Sequence, residues 1–394
     1  MRVTHIITRL IVGGAQQNTV ASVFGLRDRH DVDTSLISGP STGPEGSLEA
    51  EFDEFPELLT VVPELVRSVD PELDWKALRA LTRLLREQEP DIVHTHSGKA
   101  GVLGRLAARR ARVPVVIHTI HGPSFGPFQG AFANFVFRFA ERIAARRTTH
   151  FVTVANAMRD QYLAAGIGRP EQYTRIFSGF PLEPYLNPVD KAEMRNRVGV
   201  KEDDFVVGKI ARLFDLKGHD DLLAIAPALV AACPNIRFLL VGDGPLRDRF
   251  ENQVSQLELD DHFIFAGLVA PRDVPRYVAV MDVLVHLSLR EGLPRALPQA
   301  MAAGRPVVAY DCDGAREVCL EDQTGYLLQP GDRLGLRERL LRLARDPALR
   351  ERLGQRGREL AKECFPVERM VDDLYKLYRK LLDAHEERKL THRR

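Results

Sequence analysis

The sequence predicts an α/β protein of two Rossmann-like lobes, each built on a mostly parallel sheet. Three observations carry that prediction. The 394 residues suffice for two or three domains at roughly 150 residues each. Short β-rich runs alternate with stretches of helical spacing from one end to the other, which is the signature of βα units. Near the middle, Ser178 to Pro188 carries three prolines and no periodicity, the composition of an interdomain linker.

Strands of the first lobe are expected at Val3 to Ile7, Thr34 to Ser38, Asp91 to Thr95, Pro114 to Thr119, Phe151 to Val154 and Arg175 to Phe177. The second lobe repeats the scheme at Phe205 to Ile210, Phe238 to Val241, Phe263 to Phe265, Val283 to His286 and Pro306 to Tyr310. A boundary near Leu186 gives a first lobe of residues 1–186 and a second of 187–365. The segment 366–387 has helical spacing (Val367, Met370, Val371, Leu374, Leu377, Leu381) but no strand after it, so it is expected to pack as an extra helix completing the first lobe. Arg388 to Arg394 reads as a polar, frayed tail.

Composition narrows the function classes. With 44% hydrophobic and 28% charged residues the chain is an ordinary folded protein. A net charge of +1 gives no global electrostatic invitation to nucleic acid, so none is expected as a partner. Cys233, Cys312, Cys319 and Cys364 form no C-x-x-C pair, which fits reduced thiols and a cytoplasmic location. The first apolar residues are broken by Thr4, His5, Thr8 and Arg9, a strand pattern rather than a signal peptide. The longest apolar run, Leu222 to Cys233, is too short to span a bilayer and contains Pro227.

Charge is uneven within the first lobe. Residues 92–180 hold twelve Lys and Arg against Glu141, Asp160 and Glu171. The same stretch holds Phe125, Phe128, Phe132, Phe135 and Phe139, expected on one helical face. Two readings stand: a face buried in the core, or one in weak contact with an anionic membrane surface.

Chemistry-bearing residues cluster after strands. Gly13 and Gly14 follow the first strand and open a helix, where backbone N–H groups can face an anion or a hydroxyl, though a tight structural turn fits as well. Arg212 and Lys217 bring two cations, beside Gly218, to the end of a strand, the place where ligands bind in open α/β sheets. Val241-Gly-Asp-Gly244-Pro and Gly267-Leu268 are further strand-end turns. In Arg290-Glu291-Gly292-Leu293-Pro a carboxylate precedes a loop and a helix expected to begin near Pro298. His94, His96, His118 and His121 gather at two strand ends; with no Cys or carboxylate to complete a ligand set, no metal is expected there. Lys99 can meet an anion or stand solvated at a helix start.

Taken together, these motifs, with Lys99-Ala-Gly-Val-Leu-Gly-Arg105 and His118-Thr-Ile-His121-Gly122, resemble the family 4 retaining glycosyltransferases, over most of the chain. The resemblance implies a GT-B fold with a cleft between the lobes, an acceptor-binding first lobe and a nucleotide-sugar-binding second lobe. It implies a hexosyltransferase without cofactor or metal, the nucleotide sugar being a substrate, and a carbohydrate or polyprenyl-linked acceptor. The expected setting is envelope or exopolysaccharide synthesis, in the cytoplasm or peripheral on the inner face of the plasma membrane. Carried over by position, Arg212 and Lys217 bind the diphosphate, Glu291 takes the sugar hydroxyls and His121 lines the reaction site. Gly13, Gly14, Gly244, Leu268, Gly292, Leu293 and Gln299 contact the donor, and Lys99 the acceptor. One position departs: a second Glu is usual eight residues after the first, at the ribose, and here it is Gln299, which lacks a carboxylate's charge-assisted strength. Two alternatives stand beside this reading, a nucleotide-sugar epimerase of the same fold and an inactive sugar-nucleotide-binding homologue.

Overall fold

The computed structural model describes residues 1–41, 43, 46–96, 98–126, 128–187 and 191–391, so Pro188 of the linker and the last three residues of the tail lie outside the described residues. The chain divides into two compact units, Met1–Phe180 with Val367–Arg394, and Pro181–Pro366.

In the first unit the elements run β1 (Arg2–Ile7), α1 (Gly14–His30), β2 (Asp33–Ser38), β3 (Leu59–Val61), α2 (Pro71–Gln88), β4 (Ile92–His96), α3 (Gly98–Ala111), β5 (Val115–Ile120), α4 (Ala131–Ala145), β6 (His150–Thr153), α5 (Asn156–Ala164) and β7 (Tyr173–Arg175). The sheet order is β3-β2-β1-β4-β5-β6-β7, with every pairing parallel. Alternate residues of each strand feed two cores. On one face Val3, Ile92, Val115 and Ile117 pack with Leu26 of α1; on the other Ile6, Val93 and Val116 pack with Leu81 and Leu103 of α2 and α3.

The second unit runs α6 (Glu183–Leu186), α7 (Lys191–Arg197), β8 (Phe205–Ile210), α8 (His219–Ala232), β9 (Ile236–Val241), α9 (Arg247–Gln256), β10 (Phe263–Gly267), α10 (Val274–Val280), β11 (Val283–His286), α11 (Ala296–Ala302), β12 (Val307–Tyr310), β13 (Gly325–Leu328), α12 (Arg333–Arg345) and α13 (Pro347–Cys364). Its sheet, again all parallel, has the order β10-β9-β8-β11-β12-β13. The last helix, α14 (Val367–Thr391), returns to the first unit, where Met370, Leu374, Tyr378 and Leu381 join the core on the α1 face.

The unit boundary falls at Phe180, earlier than the expected Leu186. The reason is Tyr185, which is buried and hydrogen-bonded to Gln299, while Arg358 donates to the Leu186 carbonyl at 2.5 Å. Those anchors bind residues 181–187 to the second unit despite their prolines.

The two sheets share a topological feature that positions the sites. In each, the strand order reverses at one place, between β1 and β4 in the first and between β8 and β11 in the second. Connections leave such a pair in opposite directions, which opens a crevice at the carboxyl ends.

Candidate active site

At the β8/β11 reversal the crevice is charged. Lys217, in the turn after β8, places Nζ 2.5 Å from Glu291 Oε1, and His286 Nε2, at the end of β11, stands 3.6 Å from the same oxygen. Burial works against a charge on Glu291, but Lys217 and His286 outweigh it and hold the carboxyl below its ordinary range. The Glu291 loop is braced from behind, since the Glu291 N–H donates to Asp313 Oδ2 at 2.8 Å and the Gly314 N–H to the Gly292 carbonyl at 3.1 Å. Gly218 makes the Lys217 turn possible. It has φ 69°, and a Cβ there would lie 2.1 Å from the Leu287 carbonyl oxygen. Arg212 is exposed, its guanidinium 5.4 Å from the Phe214 ring centre.

Beneath this pair lies a cation that the sequence pattern hid. Lys209 sits inside β8, 1% exposed, and its Nζ has no hydrogen-bond partner among the described residues. Burial, with repulsion from Lys217, pushes its ammonium down to about 7. Two lysines, Lys209 and Lys217, therefore stand about one carboxylate, beside a His286 ring that burial takes down to about 4 and keeps neutral near pH 7. The excess of positive charge suits a doubly charged ligand such as a diphosphate.

The β1/β4 reversal is instead neutral and filled with imidazoles. His5 of β1 and His94 and His96 of β4 are buried on one face of the sheet, and His121 follows β5. His5 Nδ1 and His96 Nε2 are 3.0 Å apart, as are His96 Nδ1 and His121 Nε2. His94 spends its nitrogens on the hydroxyls of Tyr378 at 2.5 Å and Thr119 at 2.6 Å. Burial drives His5 down to about 3 and takes His94, His96 and His118 well below their usual value. His118 points to the other face, where it bonds Thr95. His5, His94 and His96 also bring potential metal-ligand atoms within 4.8 Å of one another, a set that His5 completes.

Two family models cover most of the chain, "Glycosyl transferase 4-like domain" over residues 13–178 and "Glycosyl transferases group 1" over 190–360. A Bacillus subtilis (strain 168) relative assigned as glycosyltransferase EpsD is 31% identical over 78% of this chain and 82% of its own. The chain is a family 4 glycosyltransferase. Another relative is the Escherichia coli UDP-Gal:alpha-D-GlcNAc-diphosphoundecaprenol alpha-1,3-galactosyltransferase, 28% identical over 96% of both chains. In fold the protein matches Anabaena HepE in complex with UDP-glucose, with a TM-score of 0.81 and 24% identity over 96% of this chain and 100% of that one. The architecture is thus the two-lobe GT-B fold. Both relatives are named as glycosyltransferases, which lends the epimerase alternative no support.

In this glycosyltransferase the remaining expected site residues are spread unevenly. Gly244, Gly292 and Leu293 lie on the strand-end loops of the second unit. A Cβ at Gly244 would meet the Leu213 carbonyl oxygen at 2.4 Å, so glycine lets the turn after β9 press against the Arg212 turn. Leu268 is 55% exposed just beyond β10. Gly13 is the residue before α1 and Gly14 its first, with Gly13 fully extended at φ −177°. Lys99 stands at the start of α3, but its ammonium is tied to Asp74 and to the Ser68 carbonyl. It is neither solvated nor open, so an anionic acceptor would have to displace Asp74.

Gln299 differs from expectation in a way that matters. Helix α11 starts at Ala296 rather than near Pro298, because a proline within the first turn has no intrahelical bond to lose. Gln299 is therefore one turn inside the helix, and its amide bonds the Tyr185 hydroxyl. The phenylalanine stripe differs too. Phe125 is in the core against Tyr162, whereas Phe132, Phe135 and Phe139 are exposed, at 81%, 66% and 55%. Helix α4 instead buries the opposite face, through Phe137, Glu141 and Ala144. Glu141 is fixed there by Arg105, whose Nη2 lies 2.6 Å from Oε2 with both side chains at most 1% exposed. A core-facing stripe is thereby excluded for these three phenylalanines.

Proposed function

We propose that the enzyme moves a hexosyl group from a nucleotide sugar to a hydroxyl of a carbohydrate or polyprenyl-linked acceptor, with retention of configuration, in envelope or exopolysaccharide synthesis. The observation that carries this reading is the Lys217–Glu291 pair at the β8/β11 reversal, over the buried Lys209. On donor binding, Lys217 and Arg212 turn to the diphosphate and Glu291 accepts from sugar hydroxyls. The bond from the anomeric carbon to the diphosphate oxygen breaks with its electron pair going to that oxygen. The acceptor oxygen enters on the same face, and its proton passes to the departing phosphate. Cations supply the stabilisation as charge develops, so no metal is required by the scheme. Retention by a nucleophilic carboxylate is disfavoured, because Glu291 has no second carboxylate in its motif.

The lipid-linked substrate in the E. coli relative's name supports a polyprenyl-diphosphate acceptor here. Helix α4 supports a location at the membrane surface, since Phe132, Phe135 and Phe139 stand exposed on a helix that also carries Arg138 and Arg142. Among the described residues no helix is long and apolar enough to cross a bilayer.

A radiolabelled-sugar transfer assay with purified nucleotide sugars and undecaprenyl-diphosphate-linked acceptors tests the reaction. Product with retained anomeric configuration is expected. Donor binding without turnover across the acceptor panel would favour the inactive-homologue reading, which Gln299 supports. Flotation with anionic vesicles tests the surface: wild type should float in low salt, and Phe132→Ser/Phe135→Ser should not.

A further inference from the structure

The histidine row of the first unit has a direction, and counting protons shows what it is. A neutral imidazole carries one N–H and one lone pair. His96 uses both nitrogens, one towards His5 and one towards His121, each at 3.0 Å. With a single proton it donates in one bond and accepts in the other, so both bonds point the same way along the row. His94 does not interrupt the row. Its nitrogens are engaged by Tyr378 and Thr119, and it lends only a stacked ring, 4.4 Å from that of His96.

Two polarities are then available. In the outward one, His5 Nδ1–H donates to His96 and His96 Nδ1–H donates to His121 Nε2. His5 Nε2 then holds a bare lone pair. In the inward one, the protons run the other way and His5 Nε2 must carry an N–H. His5 is fully buried, and its Nε2 has no hydrogen-bond partner among the described residues. Orphaned buried N–H groups are the rarer case in folded proteins, so the inward arrangement is the costlier.

We propose that His5 and His96 are positioning residues that lock His121 in the tautomer protonated on Nδ1. The proposal rests on the reading that His121 lines the reaction site. Metal coordination by His5, His94 and His96 is the competing use of these rings. It would cost His94 and His96 a hydrogen bond each that they make here.

Imidazole nitrogen chemical shifts of the full chain, labelled with ¹⁵N-histidine and assigned by the signals missing from His121→Gln, read the tautomer directly. A pyrrole-type Nδ1 and a pyridine-type Nε2 are expected for His121. In His96→Phe, which keeps a stacked ring but removes both bonds, His121 should revert to the Nε2–H form favoured in water. Turnover of that variant should fall by about 10- to 100-fold with KM for the nucleotide sugar little changed. An Nε2-protonated His121 in wild type overturns the lock, and this spectrum decides even if His96→Phe fails to fold. Unchanged turnover in His121→Gln overturns instead the reaction-site reading beneath it.

Discussion

The two strand-order reversals are the same topological device filled with opposite chemistry. At β1/β4 the crevice floor is a row of imidazole rings, hydrogen-bonded from His5 through His96 to His121. At β8/β11 it is a carboxylate among Lys217, His286 and Lys209. The contrast shows that the fold supplies the place, while the residues after each pair of strands decide whether it handles charge. In the first unit a strong buried ion pair does exist, Arg105–Glu141, but it lies between α3 and α4 and serves packing. Charge there is sealed in by packing, whereas at β8/β11 the Lys217 and Glu291 side chains keep about a fifth of their surface exposed.

The largest effect should come from breaking the structural pair. Glu141→Leu strands a buried guanidinium and should cost about 3–5 kcal/mol in chemical denaturation, with turnover per folded molecule unchanged. A comparable loss of turnover would mean that the first unit's buried charge is part of the site. Lys217→Ala should do the reverse, lowering turnover by roughly 10² to 10³-fold with little loss of stability. Because Lys217 helps hold the Glu291 carboxyl below its ordinary range, its removal raises that pKa, and the acid limb of the pH–rate profile should move to higher pH.

Lys209 carries a buried charge of the second unit. Its folded pKa, about 7, is below that of the unfolded chain, so its burial destabilises most at and below pH 7 and the penalty fades as pH rises towards the ordinary lysine range. Lys209→Met should therefore stabilise the protein by about 1–4 kcal/mol at pH 7, and less at pH 9, in urea titrations. An equal gain at both values would place the ammonium in a solvated setting. The smallest effect is expected at Gln299. Its bond to Tyr185 competes with any ribose contact, so Gln299→Ala should change nucleoside diphosphate affinity by less than about tenfold. A larger loss, shared by the nucleotide sugar, would put the amide on the ribose.

Most of the fold was legible in the sequence because buried parallel strands such as Val115–Ile120 and Phe205–Ile210 are nearly continuous apolar runs with turn residues at their ends. The strands that escaped were β3, three residues long between prolines, and β13, which opens with glycine. Glu291 and Lys217 were legible through their motifs. Lys209 was not, since one lysine in an apolar strand looks like a solvent-facing alternation until the burial of both faces is known. His5 escaped for a similar reason, as its partner His96 is 91 residues away and only the parallel pairing of β1 with β4 joins them. The Phe132/Phe135/Phe139 stripe shows the converse. Helical spacing marks a face but does not say which way it turns, and here Arg105 and Glu141 decide it.

Whether the charged reversal and not the imidazole-lined one holds the diphosphate can be read by calorimetric titration of UDP into wild type, Lys217→Ala and His96→Phe. Lys217→Ala should weaken UDP by about tenfold or more, whereas His96→Phe should bind it as wild type does. Loss of UDP affinity in His96→Phe with Lys217→Ala unaffected would contradict the placement of the diphosphate at the charged reversal.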